Sequence, residues 1–284
     1  MGTKPKFTVS TLFSGGLTDT ISAIRCDFKH LWGAEYNRDL RKMWSFLTDT
    51  VCHKDVFSKS VENSTRPNYL KCNPPSDDYI RNGTGKGGDG NSGWMYVRLP
   101  EIILKLQPES FLITMSDNVY NIHDGVELAT VKQNLKGNYI LFESILPVWE
   151  YGEPTACSWL HIVGINRKLG QRAYDFRFPK PKFDATLWPR AKCIADPDCD
   201  VPDECWLVGN IQIAHQGTII PERPSIHRIS TAKRKSGVSA RVVYSWEGLL
   251  NNQTGCFGRG LRPPLEWKPG NPLTRVRSTT SNGL

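Results

Sequence analysis

The N-terminal run FTVSTLFSGG is rich in β-branched residues and ends in a glycine turn, and LTDTISAIRC follows with helical spacing. A strand feeding a helix is predicted there. KHLWGAE reads as a second short apolar strand closed by Glu35, and NRDLRKMWSFLTD has helical periodicity. GWMYVRLPEIILKLQ is helical in pattern, with an interruption predicted at Pro100. SFLITMSD is an apolar strand, DGVELATVKQNLKG a helix closed by glycine, and NYILFESILPV and SWLHIVGIN two further strands. Strands alternating with helices predict a Rossmann-like α/β domain built on a mostly parallel sheet covered on both faces. From about residue 167 this alternation gives way to Pro, Gly and short strand-like runs such as ECWLVGNIQIAH and ARVVYSW. The predicted division is therefore a Rossmann-like domain over residues 1–183 and a smaller, irregular, β-rich lobe over residues 184–284.

Charge sharpens that division. The 284 residues carry 36 Lys and Arg against 28 Asp and Glu, yet residues 222–284 hold 11 against 3. The remainder is balanced, so the whole excess of +8 lies in the last fifth of the chain. Lys233, Arg234, Lys235, Arg241 and Arg259, interleaved with Trp246, Phe257 and Trp267, suit a phosphate backbone. A solvated basic tail is the alternative. No apolar run reaches the length of a membrane span and MGTKPKFTVS lacks a signal-peptide core, so a soluble, intracellular protein with no membrane partner is expected. Eight cysteines are scattered, and Cys193, Cys199 and Cys205 have five residues in each gap, unlike the short spacing of a zinc site. Free thiols and no metal are expected.

In a parallel sheet, ligands bind at the carboxyl ends of the strands. The turn Phe13-Ser14-Gly15-Gly16 lets backbone N–H groups approach a ligand, and Glu35, at the end of the second strand, is placed to accept ribose hydroxyls. Asp55, followed by Val56, either accepts from an adenine amino group or is a turn aspartate. Beyond these lies LKCNPPSDDYIRNGTGKGGDGNSGW, residues 70–94, in which a Pro-Pro pair precedes Ser76 and a loop with six glycines. GTGKGGDG is a poor phosphate loop, because two glycines follow Lys86 where a helix should open. A flexible lid suits it better.

Taken in order, these pieces resemble the C5-cytosine DNA methyltransferases over residues 8–183. TLFSGGLTDTISAI resembles their first motif, WGAEYNRD the second and KDV the third; NPPSDDY with its loop resembles their Pro-Cys motif. MSDNV resembles the Glu-Asn-Val motif and YGEPTACSWLHIVG the Gln-x-Arg-x-Arg motif. The resemblance implies S-adenosylmethionine as cofactor, held by Phe13, Ser14, Gly15, Gly16, Glu35, Asp55 and Val56, with double-stranded DNA as partner.

The departures from that family fall on its chemistry. The nucleophilic cysteine is replaced by Ser76, whose hydroxyl is not ionised at neutral pH and needs a dedicated base. Cys72 lies four residues too early, beyond the rigid prolines. The family glutamate corresponds to Asp117, or to Thr114 if the register runs three residues earlier. Thr155, Cys157 and Trp159 stand at the Gln-x-Arg-x-Arg positions, and Leu17 and Thr18 replace paired glycines in the cofactor turn. The closing C-terminal motifs are not recognisable before Leu284.

A degenerate homologue, a pseudoenzyme acting through DNA, cofactor or partner binding, is the leading expectation. An active methyltransferase is the alternative. It would have an unusual or split site, with the missing motifs supplied by a second chain or with the chemistry of an Asn-Pro-Pro-aromatic amino-methyltransferase.

Overall fold

The computed structural model describes residues 7–181 apart from 16, 81, 82 and 154, and the backbone of seven strands between residues 206 and 278. The described chain forms β1 (Thr8–Leu12), α1 (Thr18–Arg25), β2 (Lys29–Ala34), α2 (Arg38–Leu47), β3 (Val51–His53), α3 (Lys59–Glu62) and β4 (Tyr69–Cys72). These are followed by α4 (Trp94–Leu106), β5 (Ser110–Ser116), α5 (Val126–Leu135), β6 (Tyr139–Pro147), β7 (Thr155–Ala156) and β8 (Ser158–Asn166). Two compact units result, residues 1–145 with 159–178, and residues 146–158 with 179–284. The segment 146–158, which the sequence pattern joins to the first domain, belongs to the second unit.

In the first unit a seven-stranded sheet runs in the order β3-β2-β1-β4-β5-β8-β6. β1 to β5 pair in parallel, whereas β5 and β8 are antiparallel. The mostly parallel Rossmann-like sheet predicted from the alternating pattern is therefore present. The central strands β4 and β5 are largely apolar, as strands of a covered parallel sheet are. Leu70 and Cys72 of β4, Phe111, Ile113 and Met115 of β5, and Leu160 and Ile162 of β8 form one core with Leu99, Ile102 and Ile103 of α4 and Leu128 and Val131 of α5.

α2 begins where Asn37 accepts from the amides of Asp39 and Leu40 at 2.9 and 3.2 Å, an N-cap that satisfies otherwise orphaned donors. α4 runs through Pro100 rather than breaking there. The ring removes one helical hydrogen bond, but Tyr96, Leu99, Ile102, Ile103 and Leu106 are all buried and hold both halves in one rod.

In the second unit, β9 (Trp206–Val208), β10 (Gln212–His215), β11 (Arg228–Lys233), β12 (Ser239–Tyr244), β13 (Leu250–Asn251), β14 (Leu261–Arg262) and β15 (Arg275–Ser278) form small sheets. Their orders are β10-β11-β12, β13-β7 and β14-β15-β9. Short strands in separate small sheets match the irregular β-rich lobe expected there. No helix of the described residues is long and apolar enough to cross a membrane.

Candidate functional site at the carboxyl ends of the strands

Three residues in the turn after β1, Phe13, Gly15 and Leu17, have left-handed backbones, with φ of 56°, 51° and 64°. Amides of Phe13 and Ser14 donate to the carbonyl of Ala34, which fastens the turn to the end of β2. Gly15 N–H donates to Glu35 Oε2 at 2.8 Å, and Asn37 N–H donates to Oε1 at 2.8 Å. Glu35 thus joins the turn to the start of α2. Each of its oxygens keeps a second lone pair, and the exposed Tyr36 ring stands next in sequence. Leu17 carries a left-handed backbone without being glycine, at a cost of about 1–2 kcal/mol. Its side chain is 1 % exposed and lies outside the main core cluster. Gly16 falls outside the described residues.

Asp55 accepts from the amide of Phe57 at 2.9 Å, the turn geometry that was one of its two sequence readings. Its second oxygen makes no hydrogen bond among the described residues, although Arg98 lies close enough to interact with the carboxylate electrostatically. Val56 is buried in the core.

Ser76 follows the prolines at the end of β4, with its carbonyl accepting from the amides of Tyr79 and Ile80 at 2.8 and 3.0 Å. Its hydroxyl makes no hydrogen bond among the described residues. Cys72 is fully buried in the core, and burial pushes its thiol far above the usual range.

The glycine-rich segment is pinned by two carboxylates and is not a loose lid. Asp78 accepts from the Thr84 hydroxyl at 2.6 Å, from the amide and hydroxyl of Ser92 at 2.9 and 3.0 Å, and from the Gly93 amide at 2.8 Å. The Thr84 hydroxyl and these further donors hold its pKa down at about 2. Glu127 of α5 accepts from the Gly88 amide at 2.7 Å and pairs with His123 Nδ1 at 2.9 Å. Glycine is required where the loop wraps these groups. Gly87 has φ of +52°, and a Cβ on Gly90 would lie 2.1 Å from the Asp78 carboxyl carbon. With these amides turned onto carboxylates, the loop offers no converging N–H groups to a phosphate.

Asp117, half-buried, opens a 3-10 turn directly after β5, and Asn118 beside it donates to the Tyr79 carbonyl at 2.8 Å. The two motifs are thereby joined. Thr114, the other register, lies inside β5 and accepts from Lys71. Trp159 of β8 pairs with Ser116 of β5, and the Cys157 carbonyl accepts from the Val148 amide at 3.0 Å. For Thr155 the backbone alone is described, in β7.

In the basic lobe, Lys233 closes β11, and Arg241 lies on β12 opposite Ala232. Arg234, Lys235 and Arg259, and the cysteines 193, 199 and 205, fall outside the described residues. No group of three metal-ligating side chains occurs among the described residues. Lys71, Asp78 and Glu127 escaped the sequence reading. A lysine inside the otherwise apolar strand YLKC was the available signal for the first.

No family model matches the chain. It is 25% identical over 108 residues to the type II methyltransferase M.SsoII of Shigella sonnei, an alignment covering 38% of this chain and 28% of that protein. The chain thus spans little more than a quarter of the curated relative it matches. Among solved structures, the Entamoeba histolytica methyltransferase EhMeth superposes with a TM-score of 0.63 at 14% identity, over 96% of this chain and 83% of that one. A chain described as a DNA modification methyltransferase from an E. coli prophage gives 0.57 at 12% identity, over 87% and 82%. Those two likenesses establish the fold. The short sequence match is to a methyltransferase, in keeping with the resemblance that the ordered motifs at the strand ends carry.

Proposed function

We propose that this chain is a catalytically impaired homologue of the S-adenosylmethionine-dependent C5-cytosine DNA methyltransferases, acting by binding DNA, cofactor or a partner and not by methylating a base. Ser76 carries the reading: it stands where the attacking thiolate belongs, with no hydrogen bond to a base among the described residues, while the neighbouring Cys72 is sealed in the core. A serine hydroxyl in that position cannot add to C6 of cytosine without a proton acceptor.

The cofactor end of the site still fits S-adenosylmethionine. Glu35 retains lone pairs for ribose hydroxyls, Tyr36 offers an exposed ring for stacking, and Asp55 keeps an unoccupied oxygen for an exocyclic amine. When bound, that cofactor supplies an electrophilic methyl group. Leu17, buried in the turn, narrows the space the paired glycines would leave, so affinity is reduced and not abolished.

Residues 1–183 would form the methyltransferase-like domain, and 184–284 the lobe that meets double-stranded DNA. Lys233, Arg234, Lys235, Arg241 and Arg259 would contact the phosphates.

Incubation with a duplex containing 5-fluorocytosine and S-adenosylmethionine tests the loss of the nucleophile. An active C5 enzyme is trapped as a covalent adduct that survives a denaturing gel. No adduct is expected here, and an adduct overturns the reading. DNA binding is read separately: a gel shift that weakens steeply with salt, and weakens further when Lys233, Arg234 and Lys235 are neutralised, is expected. A shift indifferent to salt removes the basic lobe as a phosphate contact.

A further inference from the structure

Lys71 is the one charged residue in β4, a strand flanked on both sides by β1 and β5. It is 8 % exposed. Its register partners are Thr11 on β1 and Leu112 on β5, which places it on the face opposite Leu70 and Cys72, on the side where α1 begins. The ammonium donates to Thr114 Oγ1, and its nearest carboxylate is Asp19 Oδ2 at 3.8 Å, in the first turn of α1.

That distance is beyond a hydrogen bond, so two of the three ammonium donors have no acceptor among the described residues. Burial pushes the lysine pKa down, and Asp19 opposes the shift. The other titratable neighbours offer no compensating charge. His161, across from Thr114 on β8, is held neutral with a pKa near 4 by burial and by Lys71 itself. The Tyr69 phenol, two residues earlier on β4, is pushed up by burial. A buried ammonium with only one hydrogen-bond acceptor is under-satisfied, so an anionic ligand oxygen would complete it.

Lys71 and Asp19 together form a cation and an anion side by side at the carboxyl ends of β1 and β4. Glu35 lies two strands away, about 10 Å by strand spacing, across β1. We propose that Lys71 and Asp19 anchor the zwitterionic amino-acid end of the cofactor, the lysine ammonium taking the α-carboxylate and Asp19 the α-ammonium. This rests on the cofactor reading above and adds to it a residue pair that fixes which end of the ligand enters the sheet. The nucleoside end then lies toward Glu35.

Calorimetry with two ligands separates this inference from the reading beneath it. S-adenosylhomocysteine carries the amino-acid end, and 5′-methylthioadenosine keeps the nucleoside but lacks it. The unaltered chain is expected to bind S-adenosylhomocysteine the more tightly. Lys71→Met, an apolar replacement of similar length that suits a buried strand, is expected to weaken S-adenosylhomocysteine about tenfold or more while changing methylthioadenosine less than about twofold. If both ligands weaken together, or neither does, the anchor is wrong although the nucleoside site stands. If the folded, unaltered chain binds neither ligand, the cofactor reading itself fails and the anchor with it. Should Lys71→Met not fold, Asp19→Asn at the more exposed partner decides: selective weakening of S-adenosylhomocysteine supports the anchor, and no selectivity overturns it.

Discussion

Asn118 Nδ2 donates to the carbonyl of Tyr79 at 2.8 Å, a bond between buried groups 39 residues apart in sequence. It fastens the turn bearing Ser76 to the segment bearing Asp117. Replacing Asn118 with Ala leaves that carbonyl buried and unpaired, which costs about 1–3 kcal/mol. Urea unfolding should show a lower midpoint with an unchanged slope. A midpoint equal to that of the unaltered chain would mean that the frame is held by other contacts.

Leu17 sets two effects against each other. Leu17→Gly relieves a left-handed backbone worth about 1–2 kcal/mol but removes a fully buried side chain, whose loss costs about 2–5 kcal/mol. The variant should therefore be less stable by up to about 4 kcal/mol while binding S-adenosylhomocysteine more tightly, since the turn opens. Tighter binding with lower stability is the signature to seek by calorimetry and thermal unfolding together. Weaker binding would show that Leu17 supports the turn and does not crowd it.

Asp78 organises the glycine loop, and its pKa of about 2 lies below the ordinary 3.8. A carboxyl depressed on folding contributes stability that is complete above the unfolded value and disappears as pH falls from about 4 toward 2. Asp78→Asn should flatten that acid limb and accelerate hydrogen exchange at the Ser92 and Gly93 amides at neutral pH. Unchanged exchange at these two amides would dismiss the carboxylate as the loop's organiser.

His30 is buried against Trp44, ring centroids 4.8 Å apart, and neither ring nitrogen has a hydrogen-bond partner among the described residues. Burial lowers its pKa to about 4, so it is neutral in the fold and charges in the unfolded chain below its ordinary 6.5. Stability is therefore lost as pH falls from 6.5 toward 4. His30→Phe keeps the ring contact and removes the orphaned nitrogens. It should raise stability by about 1 kcal/mol at pH 7 and by more at pH 4.5. His161, lowered in the same way, would preserve part of the slope. A stability difference that does not grow on acidification would exclude His30 as a source of the limb.

The legible part of the molecule was the part written in periodicity. β1 with its glycine turn, β2 ending at Glu35, and the apolar β5 show themselves because a parallel strand covered on both faces must be apolar, and its turn must be small. The α4 helix was visible too, but its passage through Pro100 depends on burial of Tyr96, Leu99 and Ile102, which no local rule contains. The glycine loop misled for a related reason. Six glycines in a row of polar residues suggest mobility, yet here they make room for Asp78 and Glu127, and Glu127 lies 39 residues beyond the Gly88 amide that it accepts from. Glu35 was singled out by its position at a strand end, and Ser76 by the resemblance of NPPSDDY to the Pro-Cys motif. Lys71 was not, because its significance lies in what fails to pair with it.

The central claim, that the fold is retained without base methylation, is tested most directly by transfer of a tritiated methyl group from S-adenosylmethionine to duplex DNA, in the unaltered chain and in Ser76→Cys. Neither should transfer label above a protein-free control, because Cys157 and Trp159 still stand where the arginines of the family motif belong. Multiple turnovers by the unaltered chain would contradict the claim outright, and robust rescue by Ser76→Cys would show that the rest of the catalytic site has survived.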